Sequence, residues 1–278
     1  MNRSTSVALF FTSWRLPLFV SLLLAGSVAV YLTPAPFAEW PAQWASYHDF
    51  ADRRALWGVP NFGDVMSNLP FLLTGSWGFF VCAHTTPGPG ARLTEPWERR
   101  AWMAVFAGVF ATGFGSAYYH WSPNNDTLFW DRLPMAVVFA LIVTLVLAER
   151  VSWKWGKNLA IPAVALAIGS VVFWTVTERL GHGDLRPYGL VQGMAMLALP
   201  LMLLFWRGRY NRAADLWCVL AGYIAAKGLE QWDRAVFAAF GGLVSGHTLK
   251  HLAAAAATGF MVLHLRRRKE SGTPAAPP

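Results

Sequence analysis

The 278-residue sequence is poor in charged residues and in cysteine. Asp, Glu, Lys and Arg together make up 14% of the chain, whereas soluble domains carry roughly a quarter. This scarcity argues against a soluble globular protein. The two cysteines, Cys82 and Cys218, both lie within apolar runs. We interpret them as small buried hydrophobic residues and not as a disulfide.

The positive charge balance does not indicate a nucleic-acid-binding protein. The net charge is +8, but the basic residues stand in short loops between apolar runs and not along one amphipathic surface. Hydrophobic residues make up 55% of the chain, including 15 Trp and 19 Phe. Such a composition is typical of a membrane protein with wide aromatic belts at both bilayer interfaces.

Eight apolar stretches are long enough to cross a bilayer, which takes roughly 20 mostly apolar residues. They cover residues 15–33, 62–83, 101–119, 128–148, 159–177, 188–206, 214–236 and 245–265. The gaps between them leave no room for a soluble domain. We therefore predict an all-α integral membrane protein with eight transmembrane helices.

Lys and Arg are concentrated in four regions that alternate with regions poor in both. These regions are loops 84–100, 149–158 and 207–213 and the tail after residue 265. Because short basic loops are retained in the cytoplasm, eight spans place both termini there. Residues 34–61 and the helix ends that carry His120, Asp131 and His247 then share the extracytoplasmic face.

The first apolar stretch has an alternative interpretation as a cleaved signal peptide, because Arg3 and Arg15 precede its apolar core. That core is long for a signal peptide and lacks a clean small-residue cleavage site, which favours a retained helix. We divide the chain into an N-terminal tail and first helix (1–33), an extracytoplasmic segment (34–61), a helical core (62–265) and a disordered basic cytoplasmic tail (266–278).

Three histidines in apolar surroundings predict a metal site. His247 and His251 stand four residues apart in SGHTLKH, and His120 ends the run GSAYYH. Imidazoles at i and i+4 share one helix face, and three histidines with an open fourth position are typical of catalytic zinc. Two alternatives stay open: a haem between the histidines of HxxxH, and a His120 that is only hydrogen-bonded between helices.

A serine and an aspartate lie at the same predicted membrane depth as the histidines. Ser116 precedes His120 by one helical turn, and Asp131 opens the next span. A hydroxyl can donate to a developing oxyanion, and a carboxylate can orient water and carry its proton. The alternatives are that Ser116 is a small packing residue and that Asp131 complements a helix N-terminus.

Charged residues near the C-terminus predict interhelical pairs that hold the bundle together. Lys227, Glu230 and Asp233 follow one another at roughly helical spacing, and Lys250 stands between the two histidines of the last span. We predict that Glu230 pairs with Lys250 and that Lys250 lies on a different helix face from the histidines.

Three motifs together resemble the alkaline ceramidase family. GSAYYHWSPNNDTLFWDRLPM is similar to the family's SxxxH…D signature, DVMSNLPFLLTG to its first core helix with an SN pair, and SGHTLKH to its closing HxxxH. The resemblance covers roughly residues 47–265. It is closer to bacterial ceramidase-domain membrane proteins, and the wider superfamily includes adiponectin-receptor-like and haemolysin III-like proteins.

The resemblance implies a seven-transmembrane-helix core plus one extra N-terminal helix, in the inner membrane of a bacterium. It implies a zinc ion held by His120, His247 and His251, whose bound water attacks the amide of a ceramide-like N-acyl lipid taken from the bilayer. Ser116 would stabilise the oxyanion and Asp131 would handle the proton. The products would be a fatty acid and a sphingoid base.

Animal members of that family also carry calcium in an acidic segment before the first core helix. The resemblance places this Ca²⁺ at Asp49, Asp52 and Asn61, with Arg54 standing where the family has an asparagine. The alternative is that Asp49 and Asp52 form ion pairs with the neighbouring arginines of FADRR.

Two other classes of protein would use the same histidines. A receptor-like protein with structural zinc would supply the fourth ligand from the chain and would turn nothing over. A haem-binding electron carrier would show a Soret band and no zinc.

Overall fold

The computed structural model of the protein describes residues 14–32 and 45–271. The described residues form ten α-helices: α1 Arg15–Leu32, α2 Phe62–Met66, α3 Leu69–Ala83, α4 Pro96–Trp121, α5 Asn125–Arg150, α6 Trp153–Arg179, α7 Arg186–Phe205, α8 Ala213–Gln231, α9 Asp233–Ala239 and α10 Gly246–Arg267. Apart from two isolated bridges, no β-structure occurs in these ranges. The all-α prediction is confirmed, whereas the predictions for residues 1–13, 33–44 and 272–278 fall outside the described part of the chain.

Within residues 14–32 and 45–271, six helical segments are long and apolar enough to cross a membrane. They are Arg15–Leu32, Phe62–Ala83, Pro96–Trp121, Asn125–Arg150, Trp153–Arg179 and Arg186–Phe205. Many large apolar side chains on them face outward, among them Leu73 and Ile161. Exposed apolar surface of this extent suits lipid and not water, so the helices indicate a membrane protein.

The two remaining predicted spans coincide with less apolar helices. Span 245–265 is α10, but span 214–236 is interrupted at Trp232, where α8 ends and α9 begins. Span 62–83 is also interrupted, at residues 67–68 between α2 and α3. The pattern of apolar residues predicts a helix but not a break within it, because the residues at each break are compatible with either conformation.

The helices form a bundle in which many helices pack against their neighbours in sequence, and α1 lies on its outside. α4 packs between α3 and α5, α5 packs against α6, α8 packs against α10, and α1 contacts α7. Within α1 only Phe19 is buried, and its ring meets the edge of Trp206. The helix is therefore peripheral to the bundle that carries the histidines.

Local capping sets where the site-bearing helices begin. Asn124 caps α5 in a reciprocal capping box with Thr127, and Ser245 caps α10 by accepting from the backbone N–H of Thr248. Such caps satisfy the first free N–H groups of a helix and stabilise it by about 1 kcal/mol. They place Asp131 and His247 within the first two turns of their helices.

The tail that was predicted to be disordered from residue 266 is ordered at its start. α10 extends to Arg267, and the fully buried Arg268 guanidinium binds Glu98 at 2.5 Å and Glu149 at 2.7 Å. Glu270 accepts from Arg209 at 2.9 Å. The prediction failed here because a run of basic residues does not reveal acidic partners that lie over 100 residues away.

Candidate metal centre

Three imidazoles meet inside one end of the helical bundle. His120 lies in the last turn of α4, and His247 and His251 lie in the first two turns of α10. All three are buried, and one nitrogen from each lies within 4.8 Å of the others. The structure thus brings together the three histidines that the sequence predicted as ligands.

The spacing of two of the nitrogens is compatible with a bound zinc ion. The Nε2 atoms of His120 and His247 are 3.2 Å apart. Two ligands at about 2.0–2.1 Å from a tetrahedral zinc would be about 3.3 Å apart. The Nδ1 of His251 is 2.8 Å from the Ser67 hydroxyl, while its buried Nε2 has no hydrogen-bond partner. An unpartnered buried nitrogen beside two others is a donor set that a metal ion would complete.

Ser67 was missed as a site residue, although the SN pair that contains it was noted. It lies at the break between α2 and α3, where its hydroxyl meets His251. Groups that hold the second nitrogen of a ligating imidazole fix the ring's tautomer and orientation. The break in the helix therefore places a hydroxyl that can orient the His251 ring beside the candidate metal site.

Tight contact between α10 and the α8–α9 junction sets the position of His247. Its backbone N–H donates to Asp233 Oδ1 at 2.8 Å. A Cβ at Gly246 would collide with the Leu229 carbonyl and lie 2.7 Å from the Asp233 Cα. Glycine is required at this approach, and the break at Trp232 is what turns Asp233 toward the start of α10.

The segment before α2 closes over the cluster. The Phe50 ring lies 4.6 Å from the His120 ring and 4.5 Å from the His247 ring, centroid to centroid. Asn61 donates its side-chain amide to the His120 carbonyl at 2.8 Å. Phe50 was not predicted, since an isolated phenylalanine in a polar segment carries no sign of its distant partner.

Ser116 and Asp131 lie together in the same buried region. The Ser116 hydroxyl lies near the Asp131 carboxylate, and both residues are buried. A Cβ at Gly115 would collide with the Trp130 carbonyl, so only glycine allows α4 and α5 to approach this closely. Ser116 also stands one turn before His120 on α4, as the sequence predicted.

Lys250 lies nearer to the histidines than predicted. Its Nζ is 2.8 Å from Glu230 Oε1, which confirms the predicted pair, and 3.0 Å from His247 Nε2. The assignment of Lys250 to a different helix face was wrong, because residues at i and i+3 are neighbours on a helix surface and their side chains can meet. Glu230 also pairs with Lys227.

The residues assigned to calcium have other partners. Asp49 pairs with Arg53 and with Arg234, and Asp52 receives a bidentate contact from Arg54 at 2.8 and 2.7 Å. These contacts support the ion-pair alternative. Calcium at Asp49, Asp52 and Asn61 stays a prediction.

The pair of Asp52 and Arg54 makes stability depend on pH. Burial alone would raise the pKa of Asp52, but hydrogen bonds from Arg54 hold that pKa below its ordinary value of 3.8. A carboxyl group whose pKa is lower in the folded than in the unfolded state stabilises the fold at pH values above its unfolded pKa. This stabilisation is lost as the pH falls through the folded-state pKa. We expect Arg54→Gln to lower the free energy of unfolding by only about 1 kcal/mol at pH 7, because 49% of the Arg54 side chain is exposed to solvent.

Chemical unfolding in detergent at pH 7 and at pH 3 measures this effect. The difference between wild type and Arg54→Gln should shrink at the lower pH. A part independent of pH is also expected, since Arg54 donates to the Leu243 carbonyl at 2.7 Å. The control is Arg53→Gln, whose side chain is 68% exposed. A pH-independent loss in Arg54→Gln would contradict the assignment.

The other histidines of the described chain lie apart from the triad. His48 contacts the Tyr119 hydroxyl and the Asn125 amide, both at 2.9 Å, and burial lowers its pKa. His264 is buried at the far end of α10 beside Asp215, and His182 is exposed.

Comparison with models of known protein families and with curated proteins finds no match for this chain.

Proposed function

We propose that this protein is a zinc-dependent intramembrane lipid amidase, which hydrolyses ceramide-like N-acyl lipids to a fatty acid and a sphingoid base. The observation that carries the proposal is the buried cluster of three imidazoles at the bundle end that also holds the Ser116–Asp131 pair. Three neutral ligands, a carboxylate and a hydroxyl form the donor and acid–base set of a hydrolytic zinc centre. The choice of ceramide is supported only by the resemblance of the three motifs to alkaline ceramidases.

Each residue of the site would have a separate role in hydrolysis. Bound zinc would lower the pKa of a water molecule in its fourth position to about 7. Asp131 would accept a proton from the attacking water and return it to the amide nitrogen as the C–N bond breaks. Ser116 would donate to the carbonyl oxygen as negative charge develops there.

A lateral cavity would admit the acyl chain from the bilayer. It has a volume of about 300 Å³ and lies between α7 and α8, with Tyr223, Ile224 and Lys227 in its wall. Lys227 contacts Glu230, which contacts Lys250 beside His247. This chain of contacts runs from the wall of the cavity to the candidate metal centre. We accordingly propose lateral entry of lipid here.

The membrane arrangement is part of the same proposal. We assign α8 with α9 and α10 as the seventh and eighth spans, so that α1 is an addition to a seven-helix core. The distribution of Lys and Arg supports cytoplasmic termini in a bacterial inner membrane, with the metal centre toward the other side. Three imidazoles around one point favour an ion over haem, whose iron takes axial ligands from two sides of a porphyrin.

Fatty-acid release from N-acyl sphingosines of several chain lengths tests the activity. Purified protein in mixed micelles should release fatty acid, and Asp131→Asn should lower turnover about a hundredfold or more. Zinc content should stay unchanged in that variant, since Asp131 is not one of the three ligands. The readout is mass spectrometry of the released acid.

Asp126→Asn is the matched control, because Asp126 stands on the same helix with its side chain 77% exposed. It should retain wild-type turnover. A wild-type protein that carries zinc but cleaves no amide or ester lipid would reject the amidase and favour the receptor-like class.

A further inference from the structure

A second cavity opens at the end of the bundle opposite the metal centre. Its volume is about 440 Å³, and it lies between the start of α1, the end of α7 and the loop that leads into α8. Four of its lining residues are arginines, and none is acidic: Arg15, Arg150, Arg207 and Arg212. The proposed hydrolase makes no use of this cavity.

The positive charge of the cavity is only partly balanced by the surrounding protein. Arg212 is paired with Asp215 at 2.7 Å, and Glu149, the acid next to Arg150, is engaged by Arg268. The buried Arg150 guanidinium donates to the Trp206 carbonyl at 2.8 Å. Among the described residues no acid pairs with Arg15 or Arg207.

The helix ends around the cavity also favour an anion. Arg15 occupies the first turn of α1, where a cation opposes the helix dipole. Ala213, the first residue of α8, lines the cavity, and its cap Arg212 makes no side-chain capping bond. A phosphate placed among the arginines would offset both of these unfavourable features.

Part of the wall is apolar and lies at the end of α7, a helix that is apolar enough to span a membrane. Leu203, Leu204 and Phe205 line the cavity, and 67% of Leu204 is exposed. An apolar wall contributes nothing to the binding of a free anion. A phospholipid, in contrast, can place its phosphate beside the arginines and its acyl chains along the apolar helix surface. Basic pockets between transmembrane helices are the kind of site that binds anionic lipid head groups.

We propose that this cavity binds the head group of an anionic phospholipid from the leaflet at the basic end of the bundle. The peripheral helix α1 contributes Arg15 to the site and so completes it. This inference does not depend on the candidate metal centre, which lies at the other end of the bundle, where α4 ends and α10 begins.

Lipid retention by the full chain tests the site. Protein in detergent is titrated with phosphatidylglycerol or phosphatidylcholine, and bound lipid is counted by native mass spectrometry. Wild type should retain phosphatidylglycerol preferentially. Arg15→Gln/Arg207→Gln should bind it about tenfold more weakly or worse, through loss of two phosphate contacts, with zinc content unchanged. Arg150 is left in place because it is buried.

Arg92→Gln/Arg100→Gln is the matched control, since it removes the same charge from exposed positions outside the cavity, one before α4 and one near its start. It should bind phosphatidylglycerol within about twofold of wild type. Equal retention of phosphatidylcholine by wild type, or undiminished binding by Arg15→Gln/Arg207→Gln, would overturn the proposal. So would displacement of the lipid by millimolar inorganic phosphate, which would identify a site for a free anion.

Discussion

His251→Ala is expected to abolish zinc binding and, with it, all hydrolysis. Wild-type protein should carry about one zinc per chain, because three imidazoles and an open position form a complete catalytic set. The alanine variant leaves two imidazoles, and the loss of one of three ligands removes most of the binding free energy. Elemental analysis after dialysis against a weak chelator measures the change.

A milder variant tests the hydroxyl behind His251 and leaves the ligand itself in place. Ser67→Ala removes the hydroxyl that lies 2.8 Å from His251 Nδ1 but keeps all three ligands. We expect it to weaken zinc binding about 10- to 100-fold, as is typical of groups behind a ligating imidazole. His182→Ala is the control, since it removes an exposed histidine outside the cluster. Full zinc content in His251→Ala would reject the site.

Arg268→Ala is expected to be the most destabilising single change at the opposite end of the bundle. The guanidinium is fully buried between Glu98 and Glu149, and it lies over the Tyr210 ring at 3.9 Å. Its removal would leave two buried carboxylates without their counter-charge. Breaking a buried ion pair in this way costs about 3–5 kcal/mol.

Unfolding of purified protein in mixed detergent measures this loss, with helical circular dichroism as the signal. Arg267→Ala is a close control, because Arg267 is the adjacent arginine and its side chain is exposed. It should change the free energy of unfolding by less than about 1 kcal/mol. An equally small change in Arg268→Ala would show that the buried cluster does not hold the end of α10 in place.

Local patterns in the sequence account for a large part of the candidate site. The i, i+4 spacing of His247 and His251 and the one-turn spacing of Ser116 and His120 follow from helical periodicity alone. Periodicity assigns a residue to a helix face but does not name the partner that it meets. The pairing of Glu230 with Lys250 was predictable because opposite charges in apolar helices have few other partners.

Long-range contacts could not be predicted in the same way. Phe50 against the histidine rings, Ser67 behind His251 and Asp233 at the start of α10 join positions that are 14 to 197 residues apart. The local sequence around these residues does not indicate which distant residue each of them contacts. The reach of Lys250 to His247 depends on side-chain rotation, which residue spacing does not determine.

The sequence by itself determined that the chain is helical, that it is apolar enough for a membrane and that three histidines are candidate metal ligands. These properties depend on composition and on short spacings, which act through local geometry. Only the tertiary structure decided that the imidazoles meet, that Arg268 ties the end of α10 to Glu98 and Glu149, and that four arginines surround one cavity. Each of these features depends on how distant helices pack, and close packing is a property of the whole bundle.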